Sequence, residues 1–391
     1  MGSNRSYGAV GYVTLEGYSI TALFMGIGWS MFARPVIRRM DSERAHGMAI
    51  RSLSGFGQSS IGLRTLNALY QSPELPTHVF GRLFRHPLGL AAGMDKGASA
   101  LSAWPALGFS WVEYGGITRF PQDGNPKPRM FRADAEQALV NSMGFNNPGA
   151  SSVRDQLIQR RASGKWPNVP VAANIGRSKK VDNEQAPADY SATLEALWDH
   201  ADMFVLNISS PNTPGLRDLH EESSLSTVLK ACNSVKEMKG GGKTMLLKLS
   251  PDASDEELIS SSEEALRNGI DGLVATNTTL KRPVPKNTKS RHAFAQNGGV
   301  SGRPLQERSL EVVSMLYEST GGKVPIVGVG GIDSTESAWN SLTSGASLLQ
   351  IYSALVFKGP SVISDIVTGL RASVRENGFS SIEEAVGYNN T

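Results

Sequence analysis

The chain has 391 residues, of which 40% are hydrophobic and 19% charged, with 41 glycines and a formal net charge of +3. That balance describes a packed globular protein with many tight turns; it excludes a long disordered or low-complexity tract and a solenoid repeat, and no block of like charge argues for a nucleic-acid partner. Cys232 is the only cysteine, which excludes an intramolecular disulfide, a thiolate zinc site and an iron-sulfur cluster within this chain, and the histidines have no HExxH spacing, so no metal is expected.

Taken in chain order, the first distinctive stretch is Gly17 to Ala33, which carries no charge and is followed by Arg34, Arg38 and Arg39. Its length sits at the short end of what spans a bilayer, so a short span and a helix lying in the interface both fit, with a buried helix as the alternative. We expect two regions, 1–80 as an apolar N-terminal extension and 81–391 as the main body, because α/β barrels reach about 250 residues as one unit.

From residue 88 onward, short apolar runs alternate with helical patterns. Eight are read as strands: Leu88 to Ala92, Trp111 to Tyr114, Val171 to Asn174, Met203 to Leu206, Met245 to Leu249, Gly272 to Ala275, Ile326 to Val329 and Leu348 to Ile351. Their C-terminal ends carry the polar residues, as expected of a (β/α)8 TIM barrel, whose active site forms at that end of the strands. A Rossmann sheet is the other architecture weighed, but no GxGxxG follows the first run. Cys232 falls in a helical stretch, Ser224 to Met238, and reads as a buried structural thiol.

The segment Asn207 to Arg217 is the richest of these ends. Asn207 and Asn212 flank Ser210, so planar donor-acceptor groups bracket a hydroxyl, an arrangement suited to a flat imide ring that loses a proton. Read alone, the segment also fits a polar turn. Lys96 and Lys248 lie at or just past strand ends, where a buried ammonium needs an anionic partner. Gly302, the pair Gly330-Gly331 and Tyr352-Ser353 follow late strands, where barrels hold phosphate.

Six ordered motifs together resemble the class 2 dihydroorotate dehydrogenases: Asp41 to His46, Ala91 to Lys96, Asn141 to Asn147, Asn207 to Arg217, Ala275 to Thr279, and Gly328 to Gly331. The resemblance covers roughly residues 41 to 388 and implies a membrane-associated flavoenzyme that oxidises dihydroorotate to orotate in pyrimidine biosynthesis and passes the electrons to a ubiquinone-type quinone. By matching motif it implies Ser210 as the base and Lys96, Asn141, Gly144, Phe145, Asn207, Asn212, Asn277 and Thr278 as the substrate site. FMN would meet Ala92, Gly93, Met94, Asp95, Lys96, Asn174, Asn207, Lys248, Thr276, Gly302, Gly331, Tyr352 and Ser353. His46 and Arg132 resemble the polar pair at the inner end of the family's quinone tunnel, which the helices of region 1–80 would build. The class 1 enzymes use Cys as base, and the Asn207 to Arg217 segment has none.

This chain has Gly116 where the family usually carries Ser or Thr, and Ser42 where it often carries Pro. A tRNA-dihydrouridine synthase would show a basic nucleic-acid domain and a Cys acid, and a barrel keeping FMN only as a structural ligand would have no use for Ser210 and Lys96. The N-terminal anchor resembles that of the eukaryotic members, so the mitochondrial inner membrane is the expected location, with peripheral attachment to a bacterial inner membrane as the alternative.

Overall fold

The computed structural model describes residues 34–213, 215–217 and 222–390, together with Met31 and the antiparallel dipeptides Thr14–Leu15 and Tyr18–Ser19. Most of the apolar Gly17 to Ala33 stretch therefore lies outside the described residues, and its expected helix with it. Among the described residues no helix is long and apolar enough to cross a membrane.

All eight expected strands form one closed parallel barrel: β1 (Leu88–Leu90), β2 (Trp111–Ile117), β3 (Val171–Ile175), β4 (Met203–Asn207), β5 (Thr244–Lys248), β6 (Gly272–Ala275), β7 (Ile326–Val329) and β8 (Ala346–Ile351). Each pairs with the next in chain order, and β8 closes on β1 through Leu349↔Leu88 and Gln350↔Gly89. Gly89 is required there, because a Cβ would lie 2.3 Å from the indole of Trp111 on the neighbouring strand. The outer helices bury one face in the usual spacing; the helix Ser361–Glu376 turns Val362, Ile363, Ile366, Val367, Leu370 and Val374 inward. Cys232 is fully buried in the helix Glu222–Met238, where burial pushes its thiol up to about 12, as suits a structural residue.

Two-residue periodicity along the strands sets what fills the barrel. The lower layer is apolar: Trp111, Ala172, Val205, Leu246, Val274, Val327 and Leu348 pack together with Phe84. Phe84 comes from a hairpin, Thr77–Val79 with Arg82–Phe84, that plugs the bottom and that apolar runs alone do not reveal. Two residues further along the same strands the inward positions become polar, giving Glu113, Asn174, Asn207, Lys248 and Gln350, all buried. A second unanticipated element, a three-stranded antiparallel sheet of Met130–Ala133, Ala138–Asn141 and Gly299–Gly302, carries Asn141 and Gly302.

Ahead of the barrel, after the short helix Arg34–Arg39, lie α1 (Ser42–Gln58) and α2 (Ser60–Tyr70). Asp41 caps α1 by accepting from the backbone N–H groups of Glu43 and Arg44 at 3.1 and 2.9 Å, so the Ser42 departure leaves the helix start intact. Ser59 ends α1 and caps α2, accepting from Gly62 N–H at 3.1 Å. Ile50, Leu53, Leu63, Leu66 and Tyr70 face the barrel's helices, while Met48, Phe56 and Ile61 remain exposed.

Candidate active site

The polar layer at the C-terminal end of the strands is the floor of a cavity of about 1000 Å³ including its mouth. Asn174 Nδ2 donates to Glu113 Oε1 at 2.7 Å, and Gln350 Nε2 donates to Glu113 Oε2. Asn207 Nδ2 donates to Asn174 Oδ1 at 3.1 Å, and Asn277 Nδ2 donates to Asn207 Oδ1 at 3.1 Å and to Ser209 Oγ at 3.0 Å. The amides of β3, β4 and the loop after β6 thus form one connected set.

The segment after β4 divides its two serines between structure and cavity. Ser209 Oγ is engaged with Asn207 and Asn277, whereas Ser210 lines the cavity and, among the described residues, its Oγ accepts only the Asn212 N–H, at 3.3 Å. Asn212 Nδ2 donates to Asn141 Oδ1 at 3.4 Å, and Asn125 Nδ2 donates to the Asn212 carbonyl at 3.2 Å. Arg217 ties the segment down: it pairs with Asp252 at 3.0 Å and donates to the carbonyls of Ser209 and Thr278.

Two cations open onto this cavity without a hydrogen-bond or ion-pair partner among the described residues. Burial pushes Lys96 down to about 8; Arg129 adds to the shift, and Glu43 opposes it. Burial likewise lowers Lys248, and only Glu113 opposes it. Gln350 Oε1, also at the wall, is buried with no partner among the described residues. A buried cation, a half-buried one and a buried acceptor, none with a partner among the described residues, are costly unless a ligand with an anionic edge and N–H groups completes them. Gly302, Gly330, Gly331 and Ser353 line the same cavity, where backbone N–H groups can approach a phosphate. The residues present therefore fit FMN and an anionic heterocycle.

Of the expected site residues, Ser210, Lys96, Asn141, Gly144, Phe145, Asn207, Asn212, Asn277 and Thr278 all line this one cavity, as do Ala92, Gly93, Asn174, Lys248, Thr276, Gly302, Gly331, Tyr352 and Ser353. Met94 and Asp95 do not. The Asp95 carboxylate turns away to accept from the N–H groups of Ser99 and Ala100 and from Trp104 Nε1, at 2.7, 2.9 and 3.0 Å, so it organises the turn after β1. Met94 faces a different cavity. Glu113 and Gln350 were not anticipated; the signal was a polar residue at the inward phase of an otherwise apolar strand. Gly116 lines the cavity too, and a Cβ there would lie 2.4 Å from Phe145 Cδ1.

The second cavity, about 1100 Å³ including its mouth, lies between α1, α2 and the barrel. Its wall is mostly apolar, from Ile50, Leu53, Leu66, Leu107 and Val356, and its polar groups include His46 and Arg132. Burial brings His46 down to about 4, helped by the Lys96 charge, and Arg132 donates to the Met40 carbonyl. Tyr352 lines both cavities and so stands between them.

Residues 74–374 match the family described as dihydroorotate dehydrogenase. A protein from Natronomonas pharaonis named dihydroorotate dehydrogenase (quinone) is 42% identical over 92% of this chain and 99% of its own length. The protein of the same name from Rhodospirillum rubrum is 41% identical over 92% of this chain and 94% of its own. Among solved structures, that of DHODH in complex with ferulenol from Eimeria tenella superposes with a TM-score of 0.80 at 32% identity, covering 89% of this chain and 95% of that one. These relatives lend no support to the mitochondrial expectation.

Proposed function

The chain belongs to the dihydroorotate dehydrogenase family, in its quinone-reducing class, and from this premise we infer how its own residues carry out the reaction. The enzyme oxidises dihydroorotate to orotate in pyrimidine biosynthesis, with FMN as its cofactor and a quinone as final acceptor. Bound FMN would supply a two-electron acceptor for the hydride at C6 of dihydroorotate and a route for those electrons to the quinone.

Lys96 holds the substrate carboxylate by a charge-assisted contact, and Asn141, Asn207, Asn212 and Asn277, with Thr278, meet the edges of the imide ring. Gly144 and Phe145 shape the pocket. Ser210 Oγ removes the C5 proton, and the hydroxyl proton it gives up leaves through the cavity mouth. The Asn212 N–H donated to Ser210 Oγ supports the negative charge which that oxygen gains. Lys248, Asn174, Thr276, Gly302, Gly331 and Ser353 would hold FMN. The single observation that carries this reading is that Ser210, both unpaired lysines and the linked asparagines converge on one cavity.

The quinone enters the second cavity, which region 1–80 helps to build, and meets His46 and Arg132. A quinone is dissolved in lipid, so the mouth between α1 and α2 faces a membrane, with Met48, Phe56 and Ile61 on its outer side. Kinship with the Rhodospirillum and Natronomonas proteins favours peripheral attachment to a prokaryotic membrane. The test is a visible spectrum of the purified protein under argon: dihydroorotate should bleach the flavin band and a quinone should restore it. A band unmoved by dihydroorotate would overturn the reading.

A further inference from the structure

We propose that Glu113, which does not line the cavity, is a positioning residue that sets the sense of the whole chain of cavity amides and so decides which edge each presents to the substrate ring. The proposal rests on the functional reading above and adds a specificity-determining residue to it.

An asparagine side chain is nearly symmetric in shape, so packing alone does not choose between its two orientations; hydrogen-bond partners do. Glu113 is fully buried on β2, and both of its oxygens are taken by amide NH2 groups, Oε1 by Asn174 at 2.7 Å and Oε2 by Gln350. An ionised carboxylate only accepts. Asn174 must therefore turn its NH2 toward Glu113 and its Oδ1 away. That oxygen accepts from Asn207 Nδ2 at 3.1 Å, which leaves Asn207 Oδ1 to accept from Asn277 Nδ2 at 3.1 Å. At the far end, Asn277 Oδ1 accepts the Thr278 backbone N–H at 2.8 Å, and a backbone N–H only donates.

An acceptor-only root and a donor-only terminus permit one sense for the chain. Reversing Asn174 would set its oxygen against the Glu113 carboxylate. In the permitted sense one N–H of Asn207 is unused among the described residues and suits a ring carbonyl. The same logic acts on Gln350: with its NH2 on Glu113, its Oε1 is left buried and unpartnered at the cavity wall, ready for a ring N–H. One carboxylate beneath the floor, acting with the Ser209 and Thr278 N–H groups at the other end of the chain, thus determines donor and acceptor positions on two sides of the site.

The test is a double-mutant cycle read by calorimetric titration with orotate, by FMN content and by melting temperature. Glu113→Gln supplies a group that both donates and accepts, so the chain loses its root, and orotate should bind about tenfold more weakly, the worth of one charge-assisted hydrogen bond. Asn174→Asp alone sets two carboxylates face to face and should be worse still. Combining the two moves the carboxylate one place along the chain: the oxygen introduced at position 174 accepts from the amide introduced at position 113 and still accepts from Asn207. The double variant should therefore bind orotate about tenfold more tightly than Asn174→Asp alone, a rescue that loss of packing would not produce. Affinity of Glu113→Gln within about twofold of wild type, or a double variant no better than Asn174→Asp, would overturn the proposal. Should wild-type protein fail to bind orotate, the functional reading fails; the amide chain is then decided by melting temperature, where the double variant must exceed Asn174→Asp and equality counts against it.

Discussion

Lys96 lines the cavity of Ser210 and His46 the apolar one, but both also border a third cavity, and there the lysine acts on the histidine: burial brings the imidazole down to about 4, and the ammonium of Lys96 pushes it the same way. The charge proposed to hold the substrate thus adds to burial in keeping His46 neutral. Two pH dependences follow. Above pH ~5 His46 carries no charge, so quinone turnover should show no acidic limb from it between pH ~5.5 and ~7. Lys96 itself sits near 8, below its ordinary value of 10.5. Orotate affinity should therefore hold up to about pH 8 and fall above it as the ammonium is lost, which titration of the flavin spectrum from pH 6 to 10 measures.

The same shift has a consequence for stability. Between about 8 and 10.5 the unfolded chain binds a proton at Lys96 that the ligand-free fold does not, so stability against unfolding from this group rises with pH across that window. Below it the fold carries a half-buried cation with no partner among the described residues. Lys96→Met should therefore leave the ligand-free protein at least as stable by thermal melting, while weakening orotate binding by about 2 kcal/mol or more. Unchanged orotate affinity would make Lys96 a bystander.

His46→Ala and Arg132→Ala should separate the half-reactions. Neither residue lines the cavity of Ser210, so flavin reduction by dihydroorotate should stay within about twofold of wild type while turnover with a long-chain quinone drops about tenfold or more. Single-turnover reduction and steady-state quinone turnover on the same preparations give the comparison. Equal losses in both would merge the two sites.

Gly116 departs from the family, and Phe145 accounts for the space. The ring lies where a Cβ at position 116 would be, 2.4 Å from Cδ1, and it also lies 2.9 Å from where a Cβ at Gly176 would be. Gly116→Ser should displace Phe145 and weaken orotate binding about fivefold, with FMN content preserved. Orotate titration and the flavin-to-protein absorbance ratio decide it.

Much of this was legible before any coordinates, and the reason is local. Each barrel strand is an apolar run ending in a polar one, so Asn207, Lys248 and Ser353 declared themselves at run ends. Glu113 and Gln350 did not, because they lie within the runs; only the inward phase, Trp111 to Glu113 and Leu348 to Gln350, marks them. Asp95 was read with its neighbours as one cofactor-binding stretch, yet successive side chains around a turn point apart, and its carboxylate serves Ser99, Ala100 and Trp104. The hairpin Thr77–Val79 with Arg82–Phe84 has strands too short to show alternation above the background of its loop.

The central claim is that Ser210, alone of the two adjacent serines, takes the C5 proton of dihydroorotate, and anaerobic stopped-flow reduction of the flavin tests it most directly. Ser210→Ala should retain FMN and bind orotate, yet reduce its flavin about 10² to 10⁴ times more slowly than wild type, the usual worth of a positioned base. A reduction rate within about threefold of wild type would contradict the account and move the base to another residue of the cavity.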